Sequence, residues 1–398
     1  MSTPGGEGPL PRRIAHFDLD AFFVAVERLR DATLIGKPVL VGGRGPRSVV
    51  ATASYEARKF GCHSAQPMVQ ALRLCPQAIV VPPDLARYRA LSIEFHNVLR
   101  SISPVVESAG LDEAYVDLTG IGDGPGAARA AAEAIRARVR ETIGLAVSAG
   151  IAGGKTAAKV ASDRAKPNGL LDIPEGGDAA FLAPLPMREL PTVGAKLAEA
   201  LQAVGVRTIG QIAELDVRWL QRRFGSSGAT LSERARGIDT NEVRAVPRAA
   251  VSVSREVTFE ADVTDLDELR QTLQRHAERV GSDLRHAGRR ARTVTLKVRW
   301  PDFSMVTRSR TVARPAQTTA ELASLASTLL DEVFAEAGRR PVRLIGLGAT
   351  NLVEDAVQLS FENAPVLRDE RLDRAVDAIR DRFGDSAVSR GRPGRERP

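Results

Sequence analysis

Two short acidic patches constrain this chain more than any other feature. Asp18-Leu19-Asp20 runs directly into Phe22-Phe23, and Asp112-Glu113 sits inside Leu111-Asp112-Glu113-Ala114-Tyr115, each at the edge of an apolar run of strand character. Carboxylates grouped in such places are costly to hold together unless cations neutralise them. A divalent-metal site is the leading expectation.

In two-metal catalysis one ion lowers the pKa of an attacking hydroxyl, the other holds departing phosphate oxygens, and bridging carboxylates keep the ions about 3.5–4 Å apart. Asp18, Asp112 and Glu113 can supply that bridge. Neighbours on a regular strand point to opposite faces, so Asp112 and Glu113 converge only where the strand bends, and Ala109-Gly110 provides for a bend. The plainer alternative makes Asp18 a helix cap and Asp112-Glu113 solvated turn residues. Each patch taken singly fits that alternative; the patches taken with the rest of the chain fit the metal site.

Composition points to a polyanionic partner. The 398 residues carry a formal net charge of +7, and excess Lys/Arg gains from releasing counterions around phosphates. The length suits about two to four domains. Cys62 and Cys75 allow at most one disulfide and form no Cys-x-x-Cys pair. A zinc site is not expected, and both read as inert thiols in a reducing compartment. No run of about 18 apolar residues occurs and the start is Gly/Pro-rich, as in a soluble, cytoplasmic protein without a membrane partner.

After a disordered tail at 1–11, strand patterns at 14–20, 39–41, 49–51, 105–107, 114–118 and 146–151 alternate with helices at 21–29, 55–60, 93–99, 127–142 and 156–165. That alternation implies an α/β domain closing near Ile173. A linker at 174–177 leads to a helical block over 181–237 and a connector at 239–250. Strands at 252–259, 293–300, 305–312 and 342–352, with helices at 266–281 and 319–337, make an α+β module. A last helix over 370–383 places Leu372, Val376, Ile379 and Phe383 on one face before a basic tail.

Three further groups of residues suit phosphates. Tyr55 and Arg58, three apart on a helix, share a face, and the fork of Arg58 and the compact charge of Lys166 suit opposite sides of one triphosphate. A packed aromatic and a solvated basic face are the ordinary alternatives. Leu190 to Lys196 and Val204 to Gly210 resemble a helix-hairpin-helix, in which Gly194 and Gly205 let backbone N–H groups near Lys196 approach a phosphate without reading sequence. From Arg285 to Arg314 nine Lys/Arg face one acid, Asp302, and Lys297 and Arg299 alternate with Leu296 and Val298. Lys297, Arg299, Arg308 and Arg310 are candidate DNA contacts. Gly150 to Thr156 lacks the first glycine of a P-loop, at Ala149, and reads instead as a strand-to-helix turn.

With these residues in hand the chain resembles the Y family of DNA polymerases, the DinB-type branch. The resemblance rests on His16-Phe17-Asp18-Leu19-Asp20-Ala21-Phe22-Phe23, Ala51 to Gly61, Leu111 to Tyr115 and Ala165-Lys166-Pro167-Asn168-Gly169, in family order and spacing. It covers nearly the whole chain. It implies an α/β and α+β multidomain right hand: palm over 12–29 and 84–173, small fingers over 30–83, helical thumb over 174–238, linker over 239–250, and little finger over 251–362. A C-terminal helix and disordered basic tail would occupy 363–398.

By the same resemblance Asp18, Asp112 and Glu113 are the catalytic metal ligands, with the Leu19 carbonyl completing one shell around two Mg²⁺ ions, Mn²⁺ being an alternative. Asp20 is acidic but a less secure ligand. Phe22, Phe23, Ala51, Tyr55, Arg58 and Lys166 would grip the nucleotide, and the Phe23 ring would be the steric gate that clashes with a ribose 2′-hydroxyl. Ala21 and Gly110 depart from the residues common in the family. Gln358-Leu359-Ser360-Phe361 resembles part of a sliding-clamp peptide, but Glu362 breaks its apolar pair. The expected protein is a monomeric, template-directed DNA polymerase acting on primer–template DNA and deoxynucleoside triphosphates. No stretch remains for a proofreading nuclease, so low fidelity and bypass of damaged bases are expected. A palm-domain nucleotidyl cyclase and a non-catalytic DNA-binding scaffold are the rivals.

Overall fold

The structure, a computed structural model, describes residues 10–246, 248–354, 364–384 and 386–388. The clamp-like residues Gln358, Leu359 and Phe361 lie outside the described residues. The chain divides into two compact units, Met1–Pro247 and Arg248–Pro398, and the division falls inside the connector expected at 239–250.

Two sheets organise the first unit. One contains β1 (Ile14–Leu19), β5 (Val106–Ser108), β6 (Glu113–Asp117), β7 (Val147–Ala152) and β8 (Leu170–Asp172), in the order β5-β6-β1-β7-β8. The other is β3-β2-β4, from β2 (Val39–Gly42), β3 (Val50–Ala53) and β4 (Ile79–Val81). Every residue of β1 is buried, because helices cover the five-stranded sheet and leave its central strand without a wet face. The expected strands and helices are present, and β4, β8 and the helix Met68–Leu74 join them. Runs of three to seven residues are too short to display a period.

The helix Lys155–Ala165 packs on β7 and β1. Its buried face is small, with Ala157, Ala158 and Ala161. A Cβ at Gly150 of β7 would lie 2.2 Å from Ser162 N and 2.3 Å from Ala158 O, so only glycine lets the helix approach this closely. Its N-terminus is capped from the connector: Asp239 accepts from Thr156 N at 2.9 Å and Thr156 Oγ1 at 2.7 Å, and pairs with Arg234. The strand-to-helix turn at 150–156 is as expected, with a protein carboxylate at its mouth. Lys155, beside it, is taken up by Glu107 at 2.7 Å and by the Tyr115 ring at 4.5 Å.

Cys62 and Cys75 are free and buried in the small subdomain's core with Leu40, Val50 and Met68, and burial pushes both thiols up. Five short helices, from Asp178–Leu182 to Ser226–Ala235, share a core that includes Leu190, Leu201, Ile212, Leu220 and Leu231 and runs on into Ala157, Val160 and Ala161 of the helix Lys155–Ala165. Within them the helix Ala195–Gln202 begins at Gly194, and Gly205 adopts φ +86 before the next helix, Ile209–Glu214. The glycines Gly194 and Gly205 have open space where a side chain would stand, and Lys196 is exposed.

In the second unit β9 (Ser252–Val263), β10 (Arg289–Arg299), β11 (Met305–Ala316) and β12 (Val342–Glu354) form an antiparallel sheet in the order β11-β10-β12-β9. The helices Leu266–His286 and Thr319–Ala337 cover one face, over a core holding Leu273, Val294, Leu296, Leu330 and Trp300. Register corrects one expectation. Arg308 and Arg310 stand opposite Leu296 and Val294, on the helix side, where they pair with Glu336 and Glu332. Lys297 and Arg299 lie on the open face with Thr295, Thr307 and Ser309. Nine clustered cations read as one surface in sequence, but the period of two in β11 sends these two to the other side.

The C-terminal helix Ala364–Phe383 docks by an unexpected side. Its shared apolar face is not the docked one: Leu372, Ile379 and Phe383 are 52, 40 and 66% exposed, and of that face only Val376 is buried. The acidic face docks instead. Asp377 accepts from Arg285 at 2.6 and 3.0 Å, Asp373 accepts from Thr319 N and Oγ1 at 2.9 and 2.8 Å, and Glu370 accepts from Arg290 at 2.7 Å. Burial opposes ionisation of Asp377, but the Arg285 guanidinium outweighs it and holds the carboxyl below its ordinary range. A depressed folded pKa contributes stability above the unfolded value, near 3.9, that is lost as pH falls through the folded value. Asp377→Asn is expected to cost about 1–2 kcal/mol at pH 7, because Arg285 loses one of its two carboxylates and keeps Asp373 at 3.2 Å and Gln317 O at 3.0 Å. Melts of this variant between pH 7 and 3 should fall less steeply below about pH 4 than those of the parent.

Candidate active site

Backbone pairing builds the site. Asp18 is the cross-strand partner of Glu113 in the β1–β6 ladder, and Leu19 N donates to Asp112 O at 2.9 Å. The chain turns tightly before β6: Ala109 N and Gly110 N both donate to Glu113 O, at 2.9 and 3.2 Å. That is the bend the adjacent pair Asp112-Glu113 requires.

A cleft of about 290 Å³ opens here, and its lining includes Asp18, Leu19, Asp112 and Glu113 from one side and Ala51, Thr52, Tyr55, Arg58 and Ser64 from the other. Phe22, Phe23 and Lys166 also line it. All the residues expected to hold metal or nucleotide are thus brought together. Burial first, then the neighbouring Glu113 across the ladder, raises Asp18 above the ordinary carboxylate range. Burial would raise Glu113 too, but its bonds to Asp18 and Lys159 bring it down to about 2. Burial and the Glu113 charge raise Asp112.

Among the described residues, no three His, Cys, Asp or Glu side chains converge as a ready-made metal cage. Positive charge comes from two lysines. Lys166 Nζ is 2.6 Å from Asp18 Oδ2, and Lys159 Nζ is 2.6 Å from Glu113 Oε1 and 3.6 Å from Asp18 Oδ2. Hard carboxylate oxygens, crowded, half-buried and already neutralised by cations, are the donor set a divalent ion such as Mg²⁺ takes. The residues fit the ion.

Asp20 does other work. Its carboxylate accepts from Tyr55 OH at 3.1 Å, Ser148 Oγ at 2.9 Å and Asn168 N at 2.6 Å. It braces three segments around the cleft and has little left to offer a metal. Arg58 lies over the Tyr55 ring at 4.8 Å and donates through Nε to Ala53 O, which leaves the outer guanidinium edge toward the cleft.

Phe23 stacks on Tyr88 at 4.2 Å and 13° between planes, while Phe22 is buried beneath. Tyr88 OH donates to buried Glu27 at 2.6 Å, so the ring behind Phe23 is fixed. His16 is buried and neutral, its pKa lowered to about 3 by burial and the neighbouring lysines. Its Nδ1 is 2.6 Å from Ser162 Oγ, which donates to Lys159 O at 2.8 Å.

The sequence reading missed Lys159 and Tyr88. Lys159, Asp163 and Lys166 follow an i, i+4, i+7 spacing that marks one helical face and could have exposed the first. Tyr88 carries no local signal, because its partner Phe23 is distant along the chain.

The family description "impB/mucB/samB family" matches residues 17–163, its C-terminal domain matches 250–361, and "DNA polymerase-iota, thumb domain" matches 188–239. DNA polymerase IV of Dehalococcoides mccartyi (strain CBDB1) is 41% identical over 382 residues, covering 96% of this chain and 97% of the relative. DNA polymerase IV of Halorhodospira halophila is 42% identical over 86% of this chain and 95% of its own. This chain is a Y-family DNA polymerase of the DinB type. Among solved structures, a Y-family DNA polymerase chimera, Dbh-Dpo4(243-245)-Dbh, matches with a TM-score of 0.77 at 25% identity, over 86% of this chain and 99% of that one. An insertion ternary complex of Dbh DNA polymerase matches with a TM-score of 0.61 at 26% identity. The right-hand fold class of this Y-family polymerase follows, with the thumb in the helical block. The helix Ala364–Phe383 lies beyond the matched C-terminal domain.

For this polymerase, Asp20→Ala tests brace against ligand. Loss of three hydrogen bonds to a buried carboxylate should lower stability by about 2–4 kcal/mol in calorimetry. Asp20 is hydrogen-bonded to Tyr55, Ser148 and Asn168 and to none of the expected ligands, so the Mn²⁺ affinity of the folded variant should stay within about twofold; losing even a group bonded to a ligand costs about 10–100-fold.

Proposed function

We propose that this chain extends primers on a DNA template with low fidelity, bypasses damaged bases and lacks proofreading. The observation that carries this reading is the cleft that gathers Asp18, Asp112, Glu113, Phe23, Tyr55, Arg58 and Lys166. The palm would comprise residues 12–29 and 84–173, the fingers 30–83, the thumb 174–238, the linker 239–250 and the little finger 251–362.

Asp18, Asp112, Glu113 and the Leu19 carbonyl would hold two Mg²⁺ ions. Such ions activate a primer 3′-hydroxyl and neutralise the departing phosphate. Arg58 and Lys166 supply the charge that orients a triphosphate, and Asp20 keeps Tyr55 beside them. Phe23, backed by Tyr88, presents a rigid ring to the sugar. On the fingers side Ala51, Thr52 and Ser64 are small, so the pair's shape is checked loosely.

Gly194, Lys196 and Gly205 would hold backbone phosphates without sequence preference. On the little finger, Lys297 and Arg299 of the open face would do the same. The clamp peptide at Gln358 to Phe361 stays part of this reading, as does a monomer acting in the cytoplasm; no described helix is long and apolar enough to cross a membrane.

Asp112→Ala should lower template-directed primer extension on the order of 10³-fold while leaving DNA binding intact. In the same assay Phe23→Leu should keep deoxynucleotide insertion and lose on the order of tenfold or more of its discrimination against ribonucleotides.

DNA titrations over a range of salt separate the two sheet faces. Arg299 has no carboxylate partner among the described residues, so Arg299→Ala should reduce the salt slope by about 1. Arg308→Ala, already balanced by Glu336, should change it by less.

A further inference from the structure

We propose that Lys159 is a resident cation: its ammonium stands where Asp18 and Glu113 would share a divalent ion, and it moves to Asp163 when that ion enters. The proposal rests on the metal-ligand reading of those carboxylates.

Three observations carry it. Lys159 Nζ touches carboxylates from both strands of the β1–β6 ladder, at 2.6 Å from Glu113 Oε1 and 3.6 Å from Asp18 Oδ2. A cation that spans a cross-strand acidic pair does the neutralising that a bridging metal does. Its backbone is fixed: Ser162 Oγ, itself held by His16, donates to Lys159 O, and Gly150 lets the helix lie close on the sheet. The side chain alone is left to move.

An alternative partner is in place. Asp163 Oδ2 lies 3.6 Å from Lys159 Nζ, on the same helix four residues on and at the more exposed edge of the cluster. Asp163 also holds Lys166 at 2.8 Å, so a single surface carboxylate can receive ammonium groups displaced from the site. Lys159 is a positioning residue in this account. It keeps the acidic pair together before the metal arrives and competes with it on arrival.

The sign of the effect separates this role from its rivals. A competitor's removal tightens metal binding; an outer-shell support's removal weakens it; a solvated surface cation's removal changes nothing. The full chain, without DNA or nucleotide, is titrated with Mn²⁺ while the free ion is followed by electron paramagnetic resonance. Lys159→Met should tighten Mn²⁺ binding on the order of tenfold, Lys159→Arg should stay within about twofold of the parent, and Asp163→Asn should weaken binding about threefold. Lys159→Gln repeats the first measurement should the Met variant melt early. Weaker or unchanged binding in folded Lys159→Met and Lys159→Gln overturns the proposal. Asp18→Asn and Asp112→Asn tell its failure from that of the underlying reading: Mn²⁺ binding indifferent to both would overturn the metal site itself, whereas binding that they abolish and Lys159→Met leaves unmoved overturns only the role of Lys159.

Discussion

Asp18 and Glu113 face each other in a ladder whose hydrogen bonds fix them there, so sheet formation forces two carboxylates together at the mouth of an apolar core. Like charges directly opposite on neighbouring strands are destabilising, and burial strengthens the repulsion. An apolar pair at these positions would give a more stable sheet. The surroundings compensate instead: Lys159 and Lys166 lie within ion-pair distance, and burial beside Glu113 raises Asp18 above the ordinary carboxylate range. A fold that retains such a conflict in its central strand uses it, because repulsion between ligands is what a divalent cation relieves.

That compensation depends on residues with no charge. Gly150, Ala157, Ala158 and Ala161 make the contact between the helix Lys155–Ala165 and the sheet thin. Lys159 sits on that helix and Lys166 at its C-terminal end, so their reach to Asp18 is set by the distance between helix and sheet. The Asp239 cap ties the start of the same helix to the connector. Packing by small residues thus determines the electrostatics of the cleft.

Much of this is legible in the sequence. Strand β1, the bend before Glu113, the helix from Lys155 and the face shared by Tyr55 and Arg58 all follow from local period and punctuation. What stays hidden is non-local. Tyr88 reaches Phe23 only through the fold, Asp20 becomes a brace because Ser148 and Asn168 arrive from far along the chain, and the side of the sheet taken by Arg308 depends on register with β10. The docked side of the C-terminal helix is hidden for a related reason. Its period of 3.6 marks an apolar stripe, but Arg285 and Arg290, distant along the chain, offer buried cations that pair with its acidic face.

The two sides of the cleft differ in stiffness, and selectivity should follow that difference. On the sugar side Phe23 rests on Tyr88, Tyr88 is hydrogen-bonded to Glu27, and all three belong to or border the largest core. A ring so supported cannot yield to an extra hydroxyl without disturbing packed neighbours. On the opposite side the lining is Ala51, Thr52 and Ser64, and Tyr55 OH ties this side to Asp20 while Arg28 anchors the same segment through Glu56 and Lys37 O. Small side chains on this side would leave room for a distorted base pair and press little on its edges. On the reading proposed above, the same cleft would be strict toward the sugar and permissive toward the base.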